Sequence, residues 1–234
     1  MLALARRLAN LRLGQTVVQI DPRRRQLVTQ RGAVIPWNQI ISTIAIDQLA
    51  RITRGAPAGL VAASRDLESL AVILVLVVSC RPIETTIQRV YCAGPETPAH
   101  KIVLNHNSSP YLRGLPRHGI LAEVSGANSP TQCDRELADQ IVRNLVDMGL
   151  LESREQVLTT QVIRVPRAYP VPTRDRDTII GELTAWLQDR DIYSVGRFGE
   201  WAYINADESL HRGLTLGRRI LQDDATGCHF LRAG

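Results

Sequence analysis

The chain has 234 residues, enough for one large domain or two small ones, and 44% of them are hydrophobic, so a sizeable core can form. The formal charge is +5, but 27 of the 28 basic residues are arginine, spread in short clusters (Arg6-Arg7, Arg23-Arg24-Arg25, Arg218-Arg219) without interleaved aromatics; no nucleic-acid surface is expected. Cys80, Cys92, Cys133 and Cys228 form no C-x-x-C pair, which speaks against a zinc site or disulfide framework and fits reduced thiols of a cytoplasmic protein.

Residues 2–13 predict an amphipathic helix, with Leu4, Leu8 and Leu11 at helical spacing and Gly14 as its stop. They lack the long apolar centre and small-residue cleavage site of a signal peptide. TVVQID and LVTQ, around the PRRRQ turn, predict a β-hairpin over Val17–Gly32. A strand is expected over 39–45 (QIISTIA), a helix over 46–53, a loop over 54–59 and a helix over 60–68. The apolar run LAVILVLVV, 70–78, is half the length of a membrane helix, and its β-branched content predicts a buried strand; no transmembrane segment is expected.

Further strands are expected over 85–92 (TTIQRVYC), 101–105 (KIVLN) and 120–125 (ILAEVS), the last after a loop, NSSPYLRGLPRHG; with 70–78 they form a mostly antiparallel sheet. A helix over 134–149 carries Leu137, Ile141, Leu145 and Met148 on one face and stops at Gly149. A strand over 160–165 and a helix over 175–189, with Ile179, Ile180, Leu183, Trp186 and Leu187 on one face, come next. A short strand, 192–195, runs into Gly196, and a last helix runs from Ala206 to about Leu221.

The stretch Tyr193–Leu221, YSVGRFGEWAYINADESLHRGLTLGRRIL, carries the chemistry. Gly196 and Gly199 permit close approach of backbone to a ligand, Arg197 supplies a fixed positive charge, and the following helix offers free N–H groups at its start. This suits an anion or a carbonyl-rich heterocycle. The plainer alternative is a strand, a turn and a helix in which Asp207 or Ser209 only caps.

G-R-F-G-x-W-x-Y-x-N-x-D followed by a helix resembles the C-terminal flavin-binding motif of FAD-dependent enzymes of the amine oxidase, protoporphyrinogen oxidase and UDP-galactopyranose mutase type. The hairpin Val17–Gly32 with IISTIA, the segment HKIVLNHNSSPYLRGLPRHGILAEVS, and RAYPVPTRDRD resemble further elements of that family, in the same order. The resemblance implies an α/β (α+β) fold: a partial FAD-binding domain at 1–55, a substrate domain with an antiparallel sheet at 56–165, and a return to the FAD-binding domain at 166–234. It implies FAD as cofactor and a small-molecule substrate. Gly196 and Arg197 would approach the pyrophosphate, and Asn205, Ala206, Asp207 and Ser209 the pyrimidine edge of the flavin, with Val18 at the adenine. Tyr169 and Tyr203 would contact substrate; the mutases carry an acidic residue where this chain has Asn205.

No catalytic proton-transfer residue stands out among His100, His106, His118 and His211, and Gly213 and Gly217 are expected to permit close helix packing. The sequence contains no G-x-G-x-x-G turn. The resemblance therefore implies a chain truncated at its N-terminus: a fragment gene product, a mis-set start codon, or one half of a split enzyme whose partner is a separate N-terminal FAD-binding half. The alternatives are a nucleotide-sugar mutase-like enzyme and a non-catalytic remnant or interaction subunit.

Overall fold

The computed structural model describes residues 5–126 and 133–225; Cys228 and the start of the expected N-terminal helix lie outside them. In chain order the strands and helices are β1 (Val17–Asp21), β2 (Gln26–Thr29), β3 (Val34–Pro36), β4 (Ile40–Ser42), α1 (Ile46–Ile52) and α2 (Ala58–Ala63). Next come β5 (Ser69–Ser79), β6 (Arg89–Tyr91), β7 (Ala99–Leu104), α3 (Pro110–Arg113) and β8 (Gly119–Ser125). The chain continues with α4 (Asp134–Asp147), β9 (Val157–Pro170), α5 (Arg176–Gln188), β10 (Ile192–Ser194) and α6 (Ala206–Ala225). They divide into two units, one of Met1–Glu68 with Pro170–Gly234, the other of Ser69–Tyr169. No helix of the described residues is long and apolar enough to cross a membrane.

In the first unit, β1, β2 and β3 form an antiparallel sheet; the hairpin expected from the sequence gains a third strand at Val34–Pro36. Asp21 shapes the hairpin turn by accepting the N–H groups of Arg23 and Arg24, which holds its carboxyl below the usual range. β4 pairs in parallel with β10, Ile40 opposite Ile192 and Ser42 opposite Ser194, although 150 residues separate them. The core beneath joins Ile46 and Leu49 of α1, Ile179, Leu183 and Leu187 of α5, Ile192 and Trp201. The expected face of α5 is the observed one, with Ile180 and Trp186 at its margin.

The helix expected over 2–13 does not run through residues 6–14. Leu8, Leu11 and Leu13 are exposed, and a short amphipathic helix with nothing to bury its stripe against is marginal in water.

In the second unit, five strands form one sheet in the order β6-β7-β8-β5-β9; the expected four-stranded sheet gains β9, which is 14 residues long rather than the six expected. One face is filled by Ile73, Val75, Val77, Ile102, Leu104, Ile120, Ala122 and Val124, against Leu137, Ile141 and Leu145 of α4. Met148, expected on that stripe, is instead exposed, because α4 ends at Asp147 and the chain turns away at Gly149.

The strand expected over 85–92 shrinks to β6, because side chains replace the ladder before it. Asn107 donates to the carbonyls of Thr85 and Ile87, and the Ile83 N–H donates to Nδ1 of His118. That bond leaves the His118 proton on Nε2, facing the Arg113 carbonyl at 3.1 Å. Around these contacts, the loop expected from NSSPYLRGLPRHG carries a 3-10 turn (Asn105–Ser108) and α3.

His106 stacks on His118 with ring centroids 4.1 Å apart; it is 3% exposed and neither ring nitrogen has a hydrogen-bond partner. Burial, and then the neighbouring His118 and Arg113, push its pKa below the ordinary value of 6.5. A histidine with a lowered folded pKa contributes stability that is complete above the unfolded pKa and is lost as pH falls below it. The β5 and β8 amides should therefore lose protection from hydrogen exchange between about pH 7.5 and about pH 5.5 after correction for intrinsic rates. His106→Phe, which keeps a stacked ring without the titration, should flatten that dependence; equal protection at both pH values in the wild type would refute the assignment.

Candidate flavin-contacting site

β10 ends in a bend whose shape is set by named contacts. Gly196 has φ +91, a conformation that L side chains rarely adopt. A Cβ on Gly199 would lie 2.4 Å from the Val195 carbonyl oxygen, so only glycine lets the chain fold back this tightly. The Glu200 N–H donates to the Gly196 carbonyl at 2.8 Å and the Ala202 N–H to the Arg197 carbonyl at 2.8 Å. The Ser194 hydroxyl closes the loop on the Gly199 carbonyl, also at 2.8 Å.

Trp201 anchors the bend. It is 2% exposed, holds a left-handed φ of +47, and donates Nε1–H to the Glu68 carbonyl at 2.9 Å. Phe198 meets its ring edge-on at 5.3 Å, and the Phe198 carbonyl accepts the Ile46 N–H at 3.1 Å. From α5, Arg176 donates to the Trp201 carbonyl at 2.9 Å and to the Glu200 carbonyl at 2.6 Å. Trp201 and Arg176 were not singled out by the sequence reading, since their partners are backbone carbonyls remote in sequence.

Of the residues expected at a cofactor, Gly196, Arg197, Asn205, Ala206, Asp207 and Ser209 fall on this bend and the first turn of α6. Asn205, Ala206 and Asp207 are exposed, so the start of α6, with Asp207 and Glu208 in its first turn, faces outward. Ser209 does not cap: its hydroxyl donates back to the Asn205 carbonyl at 3.0 Å. Arg197 ties the bend together, donating from Nε and Nη2 to the Ile204 carbonyl at 2.9 and 2.6 Å, with its guanidinium 5.7 Å from the Tyr203 ring. Tyr203 is itself exposed. Val18 is an exposed residue of β1, and Tyr169 belongs to the second unit.

Sequence reasoning missed Glu200. Its Oε2 accepts the Gly196 N–H at 2.8 Å, and its Oε1 pairs with Arg212 of α6 at 3.2 Å. Arg212 also bonds Glu208 one turn earlier, at 2.8 Å; that bond and the two carboxylates raise its pKa further. The bend thus already holds an anionic oxygen at the amide of its first glycine. The i,i+4 spacing of Glu208 and Arg212 was legible in sequence; the reach of Glu200 to Gly196 needed the bend itself. Gly213 and Gly217 do not mark close packing, since a Cβ on either would meet nothing within 4 Å among the described residues.

No protein-family model matches the sequence. Solved structures do. A reduced UDP-galactopyranose mutase superposes with a TM-score of 0.72 at 21% identity, over 81% of this chain and 42% of that one. A protein from Exiguobacterium sp. 255-15 assigned as a protoporphyrinogen oxidase gives 0.56 at 14% identity, over 74% and 39%. A putrescine oxidase variant redesigned in cofactor binding gives 0.55 at 14% identity, over 69% and 36%. The chain thus has the mixed helix and sheet fold of part of these three structures. Among these, the mutase structure gives the highest score. The chain spans less than half the length of each of the three.

Gly199→Ala should destabilise the first unit by roughly 1–3 kcal/mol, the usual cost of forcing a group into filled space. Urea unfolding followed by fluorescence of Trp201 and its neighbours would measure it; an unchanged midpoint would show that the bend can relax.

Proposed function

We propose that this chain is the flavin-contacting part of an FAD-dependent oxidoreductase acting on a small molecule. The observation that carries the reading is the bend: a glycine N–H occupied by a carboxylate oxygen, followed by an outward-facing helix start. A backbone N–H that donates to a carboxylate also donates to a phosphate oxygen, and the positive end of α6 suits the electron-rich pyrimidine edge of a flavin. When bound, FAD supplies the two-electron chemistry. In this reading Gly196 contacts the pyrophosphate, Arg197 shapes the bend through Ile204, and Asn205, Ala206, Asp207 and Ser209 line the flavin edge. Val18 lies at the adenine, and Tyr203 of the first unit meets substrate; Tyr169 of the second unit is a substrate contact on its own sheet. Glu200 would yield the Gly196 amide to the cofactor and stay held by Arg212.

We further infer that a glycine-rich strand-turn-helix segment beyond these residues completes the cofactor site. Support comes from the sheet of β4 and β10, which has two parallel strands among the described residues. Parallel strands occur almost only in larger sheets covered on both faces. A second reading, a nucleotide-sugar mutase-like enzyme, draws on the mutase superposition; Asn205, where the resemblance implies an acidic residue, weighs against it.

Purified chain should show the visible absorbance of flavin when produced together with such a segment and FAD. Glu200→Gln should tighten FAD binding by roughly tenfold, since it removes one like charge from beside the pyrophosphate. Colourless protein in every combination would refute the cofactor reading. A UDP-sugar that raises the melting temperature of the assembled protein would select the mutase reading, and no shift would remove it.

A further inference from the structure

The second unit carries a polar cluster that the flavin reading does not use. Lys101 is the only lysine among 28 basic residues. It lies on β7 directly opposite Glu123 of β8, and its Nζ is 2.8 Å from Glu123 Oε1. The register continues the row across the sheet, with Tyr91 of β6 opposite Lys101 and Leu74 of β5 opposite Glu123. From β9, the Tyr169 hydroxyl donates to Glu123 Oε2 at 3.2 Å, and His100 Nε2 lies 3.7 Å from the same oxygen. Strand alternation puts this row on the face opposite Ile102, Ala122 and Val124, which pack in the core under α4. Tyr91 is 71% exposed at one end of the row, whereas Glu123 is 8% exposed.

Stability alone does not explain this pair. A partly buried ion pair is commonly no more stabilising than apolar residues of the same volume, and the core face of this sheet is built from such residues. Nor does it follow the chain's habit of using arginine. A lysine ammonium is a compact point charge with three protons, and Glu123 Oε1 takes one of them. Glu123 takes the Tyr169 hydroxyl proton and one proton of Lys101, so the remaining N–H groups of the ammonium are the donors offered to a ligand. Arg89, opposite Val103, adds positive charge to the same face. Burial lowers the Lys101 pKa, but the hydrogen bond and charge of Glu123, helped by Tyr169 and Tyr91, more than offset it, so the ammonium stays protonated.

We propose that Lys101, held by Glu123 and flanked by Tyr91 and Tyr169, binds the carboxylate of a small molecule with an apolar or aromatic body. Lys101 and Glu123 cancel, and Arg89 leaves one net positive charge on this face, which fits a monoanionic carboxylate better than a phosphate dianion, whose oxygens favour the fork of arginine. Tyr91, Tyr169 and Leu74 supply the apolar contact. If the flavin reading holds, such carboxylates are its substrate class. The test below contains no flavin, so its failure would leave the cofactor reading standing.

Incorporation of ¹³C,¹⁵N-lysine labels Lys101, the only lysine of the sequence, and leaves its ammonium protons in place. Titration with 3-phenylpropanoate at fixed ionic strength should shift the Lys101 side-chain signal saturably. The matching amide and inorganic phosphate should not produce that shift. In unlabelled protein, Lys101→Met should weaken ligand-observed binding at least about tenfold, and Lys101→Arg should retain part of it. Should Lys101→Met misfold around an unpaired Glu123, the double replacement Lys101→Met with Glu123→Leu keeps the face apolar and should show the same loss. No saturable shift up to about ten millimolar, an equal shift with phosphate, or full binding by a folded variant lacking Lys101 would each overturn the proposal.

Discussion

The first unit depends on one guanidinium. Arg176, at the start of α5, donates to the carbonyls of Glu200 and Trp201, which lie in the bend between β10 and α6. Without those bonds two carbonyls of a tight turn would need other partners, and the left-handed Trp201 would lose the contact that fixes its peptide. With them, the Trp201 ring is driven into the core, its Nε1–H reaches Glu68, and α6 leaves the bend with its first turn outward. The direction of α6 is thus decided by a residue on another helix.

The same bend explains why Gly196, Gly199 and Glu200 form a set. Gly199 permits the fold-back, Gly196 takes the positive φ, and Glu200 returns its carboxylate to the Gly196 amide. Arg212 and Glu208 then tie that carboxylate to α6, so one run of hydrogen bonds links the amide, its anion and the helix. The second unit makes a different use of charge. Its core face is apolar, and its one buried carboxylate stands on the other face, bonded by lysine and tyrosine. Elsewhere in this unit buried polar groups such as His118 and Asn107 hold loop backbone, and the core beneath the sheet is aliphatic.

Much of this was legible in the sequence. The run LAVILVLVV reads as a buried strand, the spacing of Leu137, Ile141 and Leu145 as the buried face of α4, and the hairpin at Val17–Gly32 from its turn. Other signals failed for identifiable reasons. Leu4, Leu8 and Leu11 have helical spacing, but spacing only offers a face, and Leu8 and Leu11 stay exposed. The stretch 85–88 alternates like a strand, yet Asn107 captures the Thr85 and Ile87 carbonyls, and β7 reaches only as far as the Gln88 carbonyl, through the Leu104 N–H.

By itself the sequence determined which segments extend and which coil, which faces are apolar, and that a glycine-rich bend precedes a helix, since these follow from local periodicity and backbone freedom. Only the tertiary structure decided that β4 pairs with β10, that Glu200 fills the Gly196 amide, and that Lys101 stands opposite Glu123 beside Tyr169. Strand register and side-chain reach across 150 residues are set by packing the whole core at once, and no local window of the chain encodes them.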